Sequence, residues 1–395
     1  MKRLCFITQC ALPIPTVKGG AVETLVEYII NENEKVGKYQ ITVFSVYDEA
    51  AEAQSKKYKY TKLVYISNTN HKADKVLLQI YRVLKHANIF IPFSCTFIKV
   101  LKELKTLPDH DFYIYEAGPT TQIPIISKIV PKDKILVHLH WDGMGTPKKD
   151  AGCKYLISIS DYIGMCWKKA TGAAEEKIKV VKNCVNLELF DRTLPYDEKQ
   201  KLREKLGVED DDKVVMFVGR IVQDKGVREL IHAFDNISRE NLVLMIIGSA
   251  NFGNKTKTPY EKEIQTMINK SKKKIVFTGY IHQQDLYKYY SISTCAVMPS
   301  QFQEPAGLVA LEAQATGTPL IATRVGGLPE FVDRESTILI EKDEYQIINM
   351  QKAILSLIDN PEKCKSMGAA GKKFVCGLDE HSYFKNFCSI IDKEM

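Results

Sequence analysis

Short apolar runs alternate with helix-length segments along nearly the whole chain, and this alternation limits the fold more than any other feature. Runs at 3–8, 41–45, 63–67, 112–115, 135–139 and 155–159 read as buried strands. Runs at 214–218, 242–247, 275–278, 295–298 and 320–323 repeat the pattern in the second half. Strands of this kind need cover on both faces, which implies parallel sheets flanked by helices. A chain of 395 residues is long enough for two such domains, each with its own core. The stretch IKVVKNCVN, residues 178–186, reads as the crossing between them. The expected division is an N-terminal domain over 1–186, a C-terminal domain over 187–378, and a closing segment, 379–395. In that last segment Phe384, Phe387, Ile390 and Ile391 fall at helical spacing.

Composition removes several function classes. Hydrophobic residues make up 45% and charged residues 26%, the balance of a globular protein. No uncharged apolar run approaches the roughly 18 residues of a membrane span, and MKRLCFITQC runs straight into a strand without the pattern of a signal peptide. A cytoplasmic protein is expected. The ten cysteines include no CxxC pair, so they read as reduced thiols and no structural zinc site is expected. The net charge of +7 is carried by the first half: residues 1–190 hold 27 Lys/Arg against 19 Asp/Glu. Such asymmetry fits an anionic partner or a merely solvated surface. The excess is diffuse and lacks an aromatic-basic motif, so nucleic acid is not an expected partner. No GxGxxG follows the first strand and no GxxxxGK[ST] occurs, which argues against a dinucleotide dehydrogenase or a P-loop ATPase.

The chemistry concentrates in residues 299–330, PSQFQEPAGLVALEAQATGTPLIATRVGGLPE. The spacing predicts a strand, a loop, a helix over 307–316 stopped by Gly317, and a further strand. That helix is almost wholly apolar and must be enclosed, yet it carries Glu312 in its second turn, and a buried carboxylate needs a partner. Glu304 stands in the loop before it. The first amides of the helix, at Gly307, Leu308 and Val309, are free to bind an anion. An anion seat flanked by two acceptors suits a diphosphate with hydroxyl-bearing sugars on either side, the layout of a nucleotide sugar. Taken alone, Glu304 serves equally well as a partner for the helix dipole, and Glu312 as one wet position on a surface helix.

A second cationic loop adds to this. VGRIVQDKG places Arg220 and Lys225 between the strand at 214–218 and the helix that follows, where an Arg fork and a Lys point charge can clamp a diphosphate. With Gly317-Thr318-Pro319 and Gly326-Gly327-Leu328-Pro329-Glu330, these motifs make the chain resemble the retaining GT-B glycosyltransferases of family 4. The resemblance implies two Rossmann-like, doubly wound domains facing a cleft, with the C-terminal helix over 379–395 returning to cover the N-terminal domain. Arg220 and Lys225 match the family's diphosphate-binding motif. Glu304 is placed near the transferred sugar and Glu312 at the ribose. The amides of Gly307, Leu308 and Val309 are placed at the donor, and Tyr280 and Ile281 beside the base. Ala306 replaces the commoner phenylalanine.

In the first domain the resemblance picks out two positions. Gly20, in GGAVE, matches the loop that approaches the donor phosphate. His140, directly after a strand, matches a histidine that contacts the donor sugar, with His138 the weaker candidate; by position alone, a histidine at a strand end is more often structural. Cys184 and Asn186 stand where most relatives have glycine and aspartate. Glu209–Asp212 offers a carboxylate cluster that precedes a strand in a hydrophilic connection and reads as solvated. Residues 72–105 interleave apolar and basic side chains, the pattern either of helices packed on a sheet or of a membrane-docking face.

The implied reaction moves a hexose-type sugar from a UDP-, GDP- or dTDP-linked donor to a glycan or lipid-linked acceptor, with retention and without metal or other cofactor. The setting suggested is surface-polysaccharide or glycoconjugate assembly, with peripheral contact at the inner face of the plasma membrane. The rival readings are a sugar-nucleotide epimerase or hydrolase of the same fold and a non-catalytic carbohydrate-binding protein.

Overall fold

The computed structural model describes residues 1–67, 71–87, 89–142, 152–250 and 257–393. The chain divides into two compact units, Met1–Asn183 with Glu380–Met395, and Cys184–Asp379.

The first unit is built on a parallel sheet of β1 (Lys2–Ile7), β2 (Tyr39–Val46), β3 (Thr61–Ile66), β4 (Phe112–Glu116), β5 (Ile135–Leu139), β6 (Tyr155–Ser158) and β7 (Ile178–Val180). Its order is β3-β2-β1-β4-β5-β6-β7. The central strands are apolar on both faces and buried, as Leu4–Ile7 are completely. The helix Glu380–Asp392 belongs to this unit. It turns Phe384, Phe387, Ile390 and Ile391 inward, with the Phe387 ring stacked 5.9 Å from that of Phe6. Fully burying one such ring stabilises by about 1.5–3 kcal/mol. Lys38 pairs with Asp392 at 2.6 Å at its far end.

The second unit carries β8 (Lys213–Val218), β9 (Leu242–Ile247), β10 (Lys274–Gly279), β11 (Cys295–Met298), β12 (Leu320–Thr323) and β13 (Thr337–Ile340). Their order is β10-β9-β8-β11-β12-β13, again parallel. The core under its helices joins Val215, Phe217, Leu230, Phe234, Ile246, Ile354 and Leu357.

Two edge strands, β7 and β13, were not expected from the sequence. The first three residues of the stretch read as the crossing are β7, paired to β6. Further along, Cys184 is buried without adopting a positive φ, and Asn186 Oδ1 accepts from Leu189 N at 2.6 Å to cap the short helix Leu187–Phe190. In each sheet the strand order reverses between the first strand and the fourth, at β1/β4 and at β8/β11. Open parallel sheets bind ligands beyond the carboxyl ends of their strands at such a point.

Candidate active site

In the second unit the loops leaving β8 and β11 meet because those strands are neighbours. Gln301 N donates to Asp224 O at 2.7 Å. Gly226, at φ 72, lies so near Pro299 that a Cβ there would stand 1.9 Å from its carbonyl oxygen. This contact brings the short turn Gln223–Lys225 against the loop before Glu304. Lys225 Nζ reaches Glu304 Oε1 at 2.7 Å, and Ser300 Oγ donates to the same oxygen at 2.6 Å. The ammonium also lies over the Phe302 ring, 4.6 Å from its centre, a favourable cation–π position.

Glu304 is only 4% exposed, and its backbone is held from behind by the Gly326-Gly327 turn. Gly327 N donates to Glu304 O at 2.7 Å, and Gly326 N to Gln303 Oε1 at 2.6 Å.

The helix Leu308–Thr316 starts at Gly307 with no side-chain cap and no acidic residue in its first turn. Its leading amides are therefore not satisfied by a capping side chain, which suits an anion. Ala306 and Gly307 are buried, and Leu308 and Val309 half-buried. Glu312 is buried on this helix, with Gln283 Nε2 donating at 3.1 Å and Tyr290 OH at 3.4 Å. Burial outweighs those two hydrogen bonds and pushes its carboxyl up to about 7. Tyr280 and Ile281, just past β10, are half-buried, and burial raises the Tyr280 phenol. Arg220 is exposed beyond β8, and its side chain makes no hydrogen bond or ion pair among the described residues. The structure thus joins Lys225 to Glu304 directly, gives Glu312 separate partners, and leaves Arg220 facing solvent.

In the first unit, His138 and His140 at the end of β5 converge on Glu116 at the end of β4. His138 Nδ1 lies 3.0 Å and His140 Nε2 3.0 Å from Glu116 Oε2. All three are largely sealed from solvent, and Glu116 completely. Burial alone would raise the Glu116 carboxyl, but the two imidazoles outweigh it and hold it at about 2. Gly20 caps the helix Ala21–Val36, against the Glu23 carboxylate, which burial raises and which feels the charge of Glu116. Glu116, His138 and His140 are the group of His, Cys and acidic side chains whose ligand atoms come together among the described residues, all within 4.8 Å. One nitrogen of each ring, His138 Nδ1 and His140 Nε2, is already aimed at Glu116.

Sequence reasoning missed Glu116, Ser300, Gln283 and Tyr290. Only Glu116 left a signal, as a carboxylate directly after an apolar strand.

Elsewhere in this unit, the helix Cys95–Leu104 buries Phe97, Val100 and Leu101 against the sheet, whereas the helix His71–Leu84 leaves an apolar stripe outside. Val76, Ile80 and Val83, one face at helical spacing, are 61%, 46% and 71% exposed, beside exposed Lys72, Lys75 and Arg82. Among the described residues no helix is long and apolar enough to cross a membrane.

Two units of doubly wound parallel sheet, the second with a cation and a carboxylate at its switch point, are of the GT-B fold class. Residues 198–374 match the family of glycosyl transferases group 1, so the second unit is a domain of that family. An uncharacterized glycosyltransferase of Methanocaldococcus jannaschii is 38% identical over 162 residues, 41% of this chain and 40% of that protein. The alignment therefore spans about two fifths of that relative's length. The spore coat protein SA of Bacillus subtilis is 26% identical over 377 residues, 94% of each chain. The crystal structure of Anabaena HepE in complex with UDP-glucose superposes over 100% of both chains with a TM-score of 0.75 at 18% identity, a likeness of fold.

Proposed function

We propose that the chain transfers a hexose from a nucleotide sugar, UDP-, GDP- or dTDP-linked, to a glycan or lipid-linked acceptor with retention at the anomeric carbon. The observation that carries this reading is the placement of Lys225 against Glu304, one residue of proline and one of alanine before the uncapped start of the helix Leu308–Thr316. A cation and free amides suit the diphosphate, and a carboxylate suits sugar hydroxyls. Arg220 is assigned to the same diphosphate, Gly20 to the donor phosphate from the first unit's loop, Glu312 to the ribose, Tyr280 and Ile281 to the base, and His140 to the sugar.

In the reaction proposed, the bond from the anomeric carbon to the diphosphate oxygen breaks while the acceptor oxygen bonds that carbon on the same face. The acceptor proton passes to the departing diphosphate. Negative charge grows on the leaving group, and fixed cations and amides stabilise it most as the bond breaks. No metal takes part in this scheme.

The acceptor is assigned to the first unit and to a membrane surface, since the stripe Val76, Ile80 and Val83 with Lys72, Lys75 and Arg82 has the make-up of an interfacial helix. Surface-polysaccharide or glycoconjugate assembly at the cytoplasmic face is the setting that fits.

A panel of nucleotide sugars, each assayed for consumption with and without sugar and lipid-linked acceptors and with EDTA, tests the reading. Transfer of a hexose with the anomeric configuration kept supports it. Consumption without transfer would make the chain an epimerase or hydrolase, and no consumption a carbohydrate-binding protein. Loss of turnover in EDTA, restored by magnesium or manganese, would overturn the metal-free part.

A further inference from the structure

Glu116 is a buried carboxylate whose contacts specify more than burial requires. Its Oε2 faces His140 Nε2 at 3.0 Å and His138 Nδ1 at 3.0 Å, and its Oε1 faces His138 Nδ1 at 3.2 Å. An ionised carboxylate only accepts hydrogen bonds, so each nitrogen facing it carries a hydrogen. That fixes both tautomers. His138 carries a hydrogen on Nδ1, and its Nε2 is buried without a hydrogen-bond partner. His140 is protonated on Nε2, and its Nδ1 makes no hydrogen bond among the described residues.

Whether His140 Nδ1 accepts or donates then depends on a second proton. The groups facing the ring are Glu116 from β4 and His138 from β5, whose ring centre is 4.3 Å away. Glu23 from the helix Ala21–Val36 is close enough to feel the charge of Glu116, and the Cys10 thiol, pushed up to about 12 by burial and so neutral, feels that of Glu23. Burial and the neighbouring imidazole depress His140, and Glu116 opposes them only in part, so the net direction is downward from its ordinary 6.5. Neutral His140 has a lone pair on Nδ1. Such an atom accepts from a hydroxyl and repels the oxygens of a phosphate or carboxylate, as does the Glu116 carboxylate beside it.

We propose that Glu116 is a positioning residue that fixes the His140 ring with its hydrogen on Nε2, so that Nδ1 is offered as a hydrogen-bond acceptor to a hydroxyl of an uncharged sugar. This rests on the assignment of His140 to the sugar made above.

The test is imidazole nitrogen NMR on the full chain labelled at histidine, read beside the pH profile of kcat/KM. At pH 7 the wild-type His140 should show hydrogen on Nε2 and none on Nδ1. A carboxylate partner favours the charged ring, so Glu116→Gln should lower the His140 pKa further and move the acid limb of kcat/KM to lower pH. Because the ring loses its anchor, turnover at pH 7 should fall on the order of 10-fold to 100-fold. Glu116→Asp, which keeps the charge, should hold the pKa nearer wild type. The wild-type tautomer needs no variant to fold. His140 carrying hydrogen on Nδ1 at pH 7, or an acid limb unmoved in a folded Glu116→Gln protein, would overturn the proposal. The expected tautomer together with full turnover in His140→Ala would instead overturn the assignment of His140 to the sugar.

Discussion

Lys225 Nζ and Glu304 Oε1 lie 2.7 Å apart, so the cation assigned to the diphosphate and the carboxylate assigned to the sugar neutralise each other. On the proposed reading the pair would serve the two halves of a nucleotide sugar from adjoining atoms, and Ser300 Oγ donates to the carboxylate at 2.6 Å. The two single variants should then move nucleoside diphosphate affinity in opposite directions. Glu304→Gln leaves Lys225 unneutralised and should tighten the diphosphate while turnover falls, because the sugar loses its orienting acceptor. Lys225→Ala should weaken the diphosphate and lower turnover on the order of 100-fold, and Arg220→Ala likewise. Calorimetric affinities and kcat for the three variants check this. If Lys225→Ala and Arg220→Ala both stay near wild type, the diphosphate is bound elsewhere.

Gly326 supports Glu304 through backbone alone. A Cβ at this position would stand 2.3 Å from Glu304 O and 2.7 Å from Glu304 N, and its φ of 57° already disfavours a side chain. Gly326→Ala should cost about 1–2 kcal/mol in stability from backbone conformation, while the forced shift of Glu304 lowers turnover on the order of 100-fold. Thermal unfolding and kcat read the two effects separately. Wild-type turnover in the folded variant would show that the turn does not set the carboxylate.

Glu312 gives stability and binding opposite pH dependences. Burial raises its carboxyl from 4.5 to about 7, so between those values the folded chain holds a proton that the unfolded chain releases. Stability from this group is therefore present below about 4.5 and lost as pH rises through about 7. Glu312→Gln should be more stable than wild type at pH 8, with the difference shrinking towards pH 5. Ribose hydroxyls, by contrast, donate best to the ionised form. Nucleoside diphosphate affinity should rise from pH 6 to 8 and binding near pH 7 should release protons, both effects vanishing in Glu312→Gln. Buffer-dependent binding enthalpies measure the proton release, and their absence in wild type would remove Glu312 from the ribose.

The limits of sequence reading follow from what each residue reports locally. Central parallel strands are buried on both faces, so β5, β9, β11 and β12 appear as apolar runs with the observed bounds. The edge strands lack that pressure: Ile178 and Lys179 of β7 are half-buried and Val180 is exposed, and the run carries no periodic signal. Glu116 was lost because an apolar run seemed to end at Tyr115, although the ladder continues by pairing Glu116 with His138. The Lys225–Glu304 contact spans 79 positions and exists only because β8 and β11 are neighbours, a fact of topology that neither motif states. Asp212 was read as solvated, yet it is buried and paired with Lys274 at 2.9 Å. It braces the start of β8, which leaves the decision against a carboxylate site there in place.

The basic-apolar stretch 72–105 divides in a way that changes its test. Lys99 lies over Ser67, bonded to its Oγ at 2.8 Å and its carbonyl oxygen at 3.1 Å, and the helix around it packs inward. The outward face is the helix His71–Leu84, where Val76, Ile80 and Val83 form the apolar line and Lys72, Lys75 and Arg82 stand beside it. A second copy of the chain would set these cations against their own kind, whereas an anionic bilayer receives both the charges and the apolar line. Each cation near such a surface is worth about 1 kcal/mol. Replacing all three with Gln should weaken binding to phosphatidylserine-containing vesicles on the order of 100-fold at low salt, an effect that salt diminishes. Val76→Ser with Val83→Ser should weaken binding with less dependence on salt, because the loss is apolar. Vesicle co-sedimentation of the full chain at two ionic strengths measures both arms. If the wild-type chain stays in the supernatant with anionic vesicles at low salt, this helix does not dock on membranes.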